Sequence, residues 1–347
     1  MTVAVDALGG DGAPEAVLDA VSGLLQEPET CPGLLLAGPA DRLSQMLQAR
    51  GVDAGRVGIL PAPVGVPMEG HPLQAVREDA QRPEPGLTVT AAARAVRDGQ
   101  ADAWVSAGHT GAAVAAAVLT SGRMTGMTRP ALAVVLPALE GPVVLLDAGA
   151  SIEVSPMVLA QFAVAGWCYA RALGIEDPKV GLLTIGREAG KGDDLRREAE
   201  QVLATRLAPQ GIGFAGPVEG HDVVAGRRAQ VVVTDGFTGN VLLKGIEGAV
   251  AWSVERMGWA YGDPGPARKV LREVATGEFA GGMLLGVNAT TVIGHGAGSP
   301  AQIAACIRLA ARAADHGLIR ELDGSLGSAD DPALRAHRNG PDAKDLM

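Results

Sequence analysis

Residues 231–248 read VVVTDGFTGNVLLKGIEG, and this stretch decides the fold class. The β-branched run Val231, Val232 and Val233 predicts a buried strand of a parallel sheet. The strand stops at Asp235-Gly236, and Thr238, Gly239 and Asn240 follow as a turn. Leu242, Leu243, Ile246, Ala249 and Val250 recur at helical spacing, which predicts a helix running on to Met257. Asn240 is its expected N-cap, because an amide oxygen accepts from the N–H groups that a helix start leaves free. A strand, a glycine-containing turn and a helix start set backbone donors where ligands of open α/β sheets bind. Helix N-termini favour anions, and Lys244 adds a full positive charge. A plain βα turn with a solvated lysine fits the same residues, so the rest of the chain must decide.

Outward from this stretch, the same unit recurs. Residues 2–5 form a strand that ends in Asp6-Ala7-Leu8-Gly9-Gly10-Asp11-Gly12, with a helix over 14–25. The turn matches neither a GxGxxG fingerprint nor a GxxxxGK[ST] P-loop. Strands are expected at 34–37 and 57–60. A polar stretch over 77–86 precedes a helix over 90–98. Residues 103–111 carry Ser106, Gly108 and His109 from a strand into a small-residue turn, before an alanine-rich helix over 112–120. His109 can be a base, an anion-binding donor or a satisfied structural group. Strands at 131–136 and 143–146 follow, the second ending in Asp147-Ala148-Gly149-Ala150-Ser151. A helix over 156–173 holds Phe162, Trp167 and Tyr169, which read as core. A strand over 180–185 leads to Gly186-Arg187-Glu188-Ala189-Gly190-Lys191-Gly192, whose cations and flexible backbone suit an anion, though a solvated loop fits too. A helix over 193–207 comes next. Past residue 257, Trp259 and Tyr261 lie in a connecting segment, and Arg268, Lys269 and Arg272 on a basic helix over 267–275. Strands over 281–287 and 290–293 lead to His295, and a helix over 301–316 closes the pattern. Residues 322–347 read as a disordered tail. Strands alternating with helices throughout predict an α/β protein, a mainly parallel sheet with helices on both faces.

Composition narrows the function. Lys and Arg number 29 against 39 Asp and Glu, a net charge of −10, which disfavours non-specific nucleic-acid binding. Cys31, Cys168 and Cys306 lie far apart without ligand spacing and read as unremarkable thiols. The six histidines show no HExxH-type spacing, so no metal site is expected. No signal peptide and no apolar run of about twenty residues is evident. A cytoplasmic protein is expected, with lipid contact through a short surface element left open.

Six pieces, VDALGGDGAP, SAGHTGA, LLDAGAS, VGLLTIGREAGKG, VVVTDGFTGNVLLKGIEG and LLGVNATTVIGHG, occur in one order across residues 2–320. Together they resemble the bacterial phosphate acyltransferases, which move a fatty acyl group from acyl carrier protein to inorganic phosphate. The resemblance implies a fold like those of isocitrate and isopropylmalate dehydrogenases and the phosphotransacetylases, with two lobes around a cleft. The lobes would comprise residues 1–147 with 288–330, and 148–287, within one unit over 1–330. It further implies a homodimer with no metal or organic cofactor, acting at the first committed step of bacterial phospholipid synthesis. Its product would pass to a membrane glycerol-3-phosphate acyltransferase. The chain departs from the family pattern where His109 and Ser151 replace Asn and Arg187 replaces Glu, around Leu87-Thr88, and in a shorter hairpin near Trp259.

Moving an acyl group from a thioester to phosphate requires holding a dianion, stabilising an oxyanion and accommodating a thiolate. Phosphate is itself a nucleophile, and no GxSxG motif is present. Lys191 and Lys244 are expected to hold phosphate, with N–H groups near Gly239-Asn240 and Gly9-Gly10. Asp11, Ser106, Gly108 and Asp147 complete the expected substrate-binding set. Asn240 or His109 would donate to the oxyanion, His295 would protonate the sulfur, and Asp235 would orient a cation. The hairpin with Trp259, Tyr261, Arg268, Lys269 and Arg272 would meet a membrane surface or the acyl carrier protein, or form a dimer contact. Alternatives are a coenzyme A-dependent phosphotransacetylase, a decarboxylating dehydrogenase lacking its metal cluster, or a non-catalytic relative.

Overall fold

The computed structural model describes residues 1–27, 29–66, 72–188, 190–263, 265, 268–269 and 281–327. Its strands are β1 Thr2–Asp6, β2 Gly33–Gly38, β3 Val57–Pro61, β4 Ala103–Ser106, β5 Ala131–Ala138 and β6 Gly141–Leu146. They continue with β7 Val180–Leu183, β8 Phe214–Val218, β9 Val231–Val233, β10 Gly281–Leu285 and β11 Thr290–Gly294. The helices are α1 Glu15–Leu25, α2 Ala40–Ala49, α3 Pro72–Ala80, α4 Thr88–Arg97 and α5 Thr110–Ser121. After them come α6 Pro156–Ala172, α7 Asp194–Leu207, α8 Gly220–Ala225 and α9 Gly236–Tyr261, then helices over Pro300–Asp315 and Leu318–Gly327.

Among the described residues, eleven strands form one sheet, ordered β3-β2-β1-β4-β11-β10-β5-β6-β9-β7-β8. β9 lies between β6 and β7 and is parallel to both, with Val231 opposite Val144 and Val180. Side chains alternate across the sheet as the strand period requires. Val231 and Val233 join the core on one face, and Val232 joins the core on the other. Val3 and Val5 are likewise separated from Ala4, so helices cover both faces as expected.

Direction changes only in the centre. β10 runs antiparallel to β11 and β5, and β5 antiparallel to β6. The parallel sets on either side therefore point in opposite senses, and their carboxyl ends meet over the central strands.

Three local expectations are corrected. α9 begins at Gly236, with Asp235 as its N-cap accepting from the Thr238 N–H at 2.8 Å, so Asn240 lies inside the helix. Asp is as strong a cap as Asn, and it precedes the first residue able to start the turn. The polar stretch before α4 begins inside a helix, since its first residues form the end of α3, which packs on α5. Residues 322–327, expected to be disordered, belong to a helix in which Leu318, Leu322 and Leu326 are buried at four-residue spacing. Residues 328–347 lie outside the described residues, as does most of the expected basic helix over 267–275.

Candidate active site

Where the two sets of carboxyl ends meet lies a cleft open to solvent, with a cavity volume of about 380 Å³. Gly108, His109 and Thr110 after β4, with Gly294, His295 and Gly296 at the end of β11, form one wall. Ala148 and Gly149 after β6, with Asn240, Leu243, Lys244 and Glu247 on α9, form the other. Leu132 and Val134 of β5 supply an apolar floor. The α9 residues recur at the three- and four-residue steps that share one helix face.

His109 caps α5, its Nδ1 accepting from the Ala112 N–H at 3.3 Å. In the neutral ring the proton is then on Nε2, making His109 a donor rather than a base. The N–H groups of Thr110 and Gly111 in the first turn have no carbonyl within the helix to bond. A smaller recess beside the cleft is lined by Asp6, Gly9, Gly10, Ser106, Gly108 and His109. Ser106 donates to the Asp6 carboxylate at 2.7 Å and accepts from the Gly108 N–H at 3.1 Å, fixing the turn before His109. Burial raises the Asp6 carboxyl above its usual range, against hydrogen bonds from Ser106 and the Leu8 N–H. Gly10 adopts φ +109°, and the Asp11 N–H bonds the Gly296 carbonyl at 2.8 Å, tying the first loop to the His295 loop.

The α9 start is closed rather than open to ligand. The Gly239 N–H bonds the Asp235 carbonyl, and a Cβ on Gly239 would sit 1.9 Å from the Asp147 carbonyl oxygen. Asn240 donates from Nδ2 to the Ala148 carbonyl at 3.0 Å. Asp147 is fully buried and accepts from the N–H groups of Leu132, Gly149, Ala150 and Ser151 at 2.5–2.9 Å. Burial pushes its carboxyl up to about 6 in spite of those four donors. Asp147 thus organises a loop and presents no free oxygen to the cleft.

The cations are distributed differently from expectation. Lys244 lines the cleft, its Nζ donating to Glu247 at 2.7 Å. Lys191 is exposed on the loop after β7 and is not among the described residues lining the cleft. Asp235 pairs with Arg196 rather than with a lysine. Burial works to raise the Asp235 carboxyl, but the Thr238 N–H and hydroxyl together with Arg196 hold it below its usual range. His295 is exposed on the cleft wall, its Nδ1 accepting from the Ala297 N–H at 3.2 Å. Trp259 and Tyr261 are exposed at the end of α9, with the Arg256 guanidinium 4.8 Å over the Trp259 ring. Arg268 and Lys269 are exposed, and Arg272 lies outside the described residues. Sequence reading missed Thr110, Leu132, Val134, Leu243, Glu247 and Arg196. The 240, 243, 244, 247 spacing carried the signal for two of them. Among the described residues, no cluster of His, Cys, Asp and Glu could hold a metal, and no helix is long and apolar enough to cross a membrane.

The architecture is that of the phosphotransacetylase fold. The structure of the EutD phosphotransacetylase from Staphylococcus aureus is similar with a TM-score of 0.60 at 16% identity, over 90% of this chain and 94% of that one. The chain belongs to the fatty acid synthesis protein family, whose model matches residues 1–260, and within it to the phosphate acyltransferases. A phosphate acyltransferase of Synechococcus sp. is 40% identical over 97% of this chain and 90% of its own length. One from Desulfitobacterium hafniense is 39% identical over 94% and 98%.

Proposed function

We propose that this phosphate acyltransferase takes a long-chain acyl group from an acyl carrier protein thioester and delivers it to inorganic phosphate in the cleft. The observation that carries the reading is the cleft's composition: the α5 start and Lys244 stand across an apolar floor of Leu132 and Val134. A phosphate would sit between the Thr110–Gly111 amides, His109 Nε2–H and Lys244, with charge met by a helix start and a cation. One of its oxygens attacks the thioester carbonyl carbon. The carbonyl electron pair moves onto oxygen, where His109 or Asn240 donates. Collapse breaks the C–S bond, leaving acyl phosphate and a thiolate. With Nδ1 occupied, neutral His295 can solvate that sulfur, and the thiolate takes its proton from water.

The chain would act as a homodimer of two-lobed units, and no cofactor enters these steps. Exposed Trp259 and Tyr261 suit a membrane interface, and exposed Arg268 and Lys269 suit an acidic carrier or anionic headgroups. This would set product release beside a membrane glycerol-3-phosphate acyltransferase. The phosphotransacetylase-like fold favours one second reading, a coenzyme A thioester as donor. Purified protein given phosphate with palmitoyl-acyl carrier protein, palmitoyl-coenzyme A or acetyl-coenzyme A decides between them. Acyl phosphate trapped as hydroxamate should form fastest from the carrier protein. Faster turnover of acetyl-coenzyme A would refute the proposal. Flotation on anionic vesicles tests the hairpin. Loss of flotation in Trp259→Ala/Arg268→Glu/Lys269→Glu with an intact dimer is expected, whereas dissociation to monomers marks a dimer contact.

A further inference from the structure

A single guanidinium joins the N-caps of two helices. Arg196, on the first turn of α7, is almost buried, with its side chain 11% exposed. Its Nη1 donates to the Asp193 carboxylate at 2.9 Å, and Asp193 is the N-cap of α7. Its Nη2 donates to the carboxylate of Asp235, the N-cap of α9, and to the hydroxyls of Thr234 at 3.1 Å and Thr238 at 3.0 Å. The Asp235 side chain is 8% exposed, so this contact is shielded from water, whereas Asp193 at 60% is solvated. A planar fork can hold both carboxylates and two hydroxyls at once, and an ammonium cannot reproduce that geometry.

We propose that Arg196 is a positioning residue for phosphate, acting through α9. It rests on the reading that Lys244 and Asn240 work in the cleft. Among the described elements, α9 touches the sheet only sparingly. Its buried residues are Gly236, Gly239 and Val254, with Leu242, Leu243 and Ile246 only partly buried against the core, and what it offers the cleft lies between Asn240 and Glu247. The angle at which it leaves β9 therefore depends on how its first turn is held. Asp235, Thr234 and Thr238 constitute that turn, and Arg196 bonds all three. The guanidinium itself is no part of the cleft lining, so it acts on substrate only by setting where Lys244 and Asn240 stand.

Arg196→Lys, Asp235→Asn and Lys244→Ala should be compared in phosphate and acyl-donor kinetics, thermal unfolding and amide hydrogen exchange of residues 236–244. A 1 Å misplacement of a positioning group can cost about 10²-fold. Arg196→Lys should therefore lose up to about 10²-fold in kcat/KM for phosphate, chiefly through KM. The donor KM should stay within about twofold, because the β5 floor is untouched, and exchange in the first turns of α9 should quicken. Should Arg196→Lys fail to fold, Asp235→Asn keeps a capping acceptor and should show the same split. A folded Arg196→Lys or Asp235→Asn with lowered Tm but unchanged phosphate KM and exchange would overturn the inference. Normal phosphate KM in Lys244→Ala would instead overturn the site reading, and the inference with it.

Discussion

Replacing Gly239 by alanine tests the placement of α9 directly. A Cβ there would lie 1.9 Å from the Asp147 carbonyl oxygen and 3.0 Å from Thr234 Cγ2. Non-bonded heavy atoms settle near 3.5 Å, so relief demands a shift of roughly 1.5 Å. Neither side yields easily. The Asp147 carboxylate is held by four backbone N–H groups, and the α9 start by its Asp235 cap. Overpacking typically costs about 1–3 kcal/mol, and a backbone clash belongs at the upper end. At about 1.4 °C per kcal/mol, from about 2.1 cal/mol/K of unfolding entropy per residue in a 347-residue chain, Tm should fall by about 3–4 °C. Displacing α9 by about 1 Å should also lower kcat/KM for phosphate by about 10²-fold. Gly245→Ala on the same helix is the control, because a Cβ there meets nothing within 4 Å. It should gain about 0.5–1 kcal/mol from helix propensity. The measurements are thermal unfolding by circular dichroism and initial rates across phosphate concentrations. Gly239→Ala with wild-type Tm and wild-type rates would refute the placement of α9 against the β6 loop. A Gly245→Ala variant that dissociates would show that a second copy covers that face of α9, which bears on the proposed homodimer.

Lys244→Ala should keep its circular dichroism spectrum and lose about 10- to 100-fold in kcat/KM for phosphate, as expected for a charge-assisted contact; a normal value refutes the role. His109→Asn keeps a capping acceptor and a donor and should stay active, whereas His109→Ala should lose about 1 kcal/mol of stability and most activity; full activity in His109→Ala removes the residue from the site. Leu322→Ala should lower stability by about 2–5 kcal/mol in thermal unfolding, since it empties a buried position of the final helix. The raised Asp147 carboxyl binds its proton more tightly folded than unfolded, so its contribution falls as pH rises from about 4 to about 6. Relative to Asp147→Asn, the wild type should lose about 3 kcal/mol across that window by denaturant titration, and a flat difference would refute the shift.

The strands were legible because β-branched and apolar runs buried on both faces leave a plain pattern, as Val231 to Val233 show. Their order was not. Nothing in the residues of β10 or β5 announces that they reverse direction, since an antiparallel central strand is as apolar as a parallel one. The final helix was hidden for a different reason. Gly, Asp and Ser between Leu322 and Leu326 suggested a solvated tail, yet leucines four apart suffice to dock it on α6. Of the residues lining the cleft, charge or position in a turn singles out His109, Lys244 and His295 in the sequence. Leu132 and Val134 of the floor, and Arg196 across the two N-caps, carry no such signal, because their places depend on which strands and helices come together.

Which residue caps α9 decides where an anion can sit. With Asn240 as cap, the α9 start would be an open anion site beside Lys244. With Asp235 as cap, a carboxylate already occupies that helix end, Gly239 is pressed against the Asp147 carbonyl, and a dianion there would meet negative charge. The α5 start differs in kind. Its cap is a histidine that accepts through one nitrogen and offers the other as a donor, and its first turn lines the cleft. Lys244 stands two turns inside α9, on the opposite wall. Opposed walls suit the reaction better than a single pocket would. Phosphate can be fixed at α5 while the thioester lies along the β5 floor, and attack at the carbonyl carbon brings the developing oxyanion between donors from both sides.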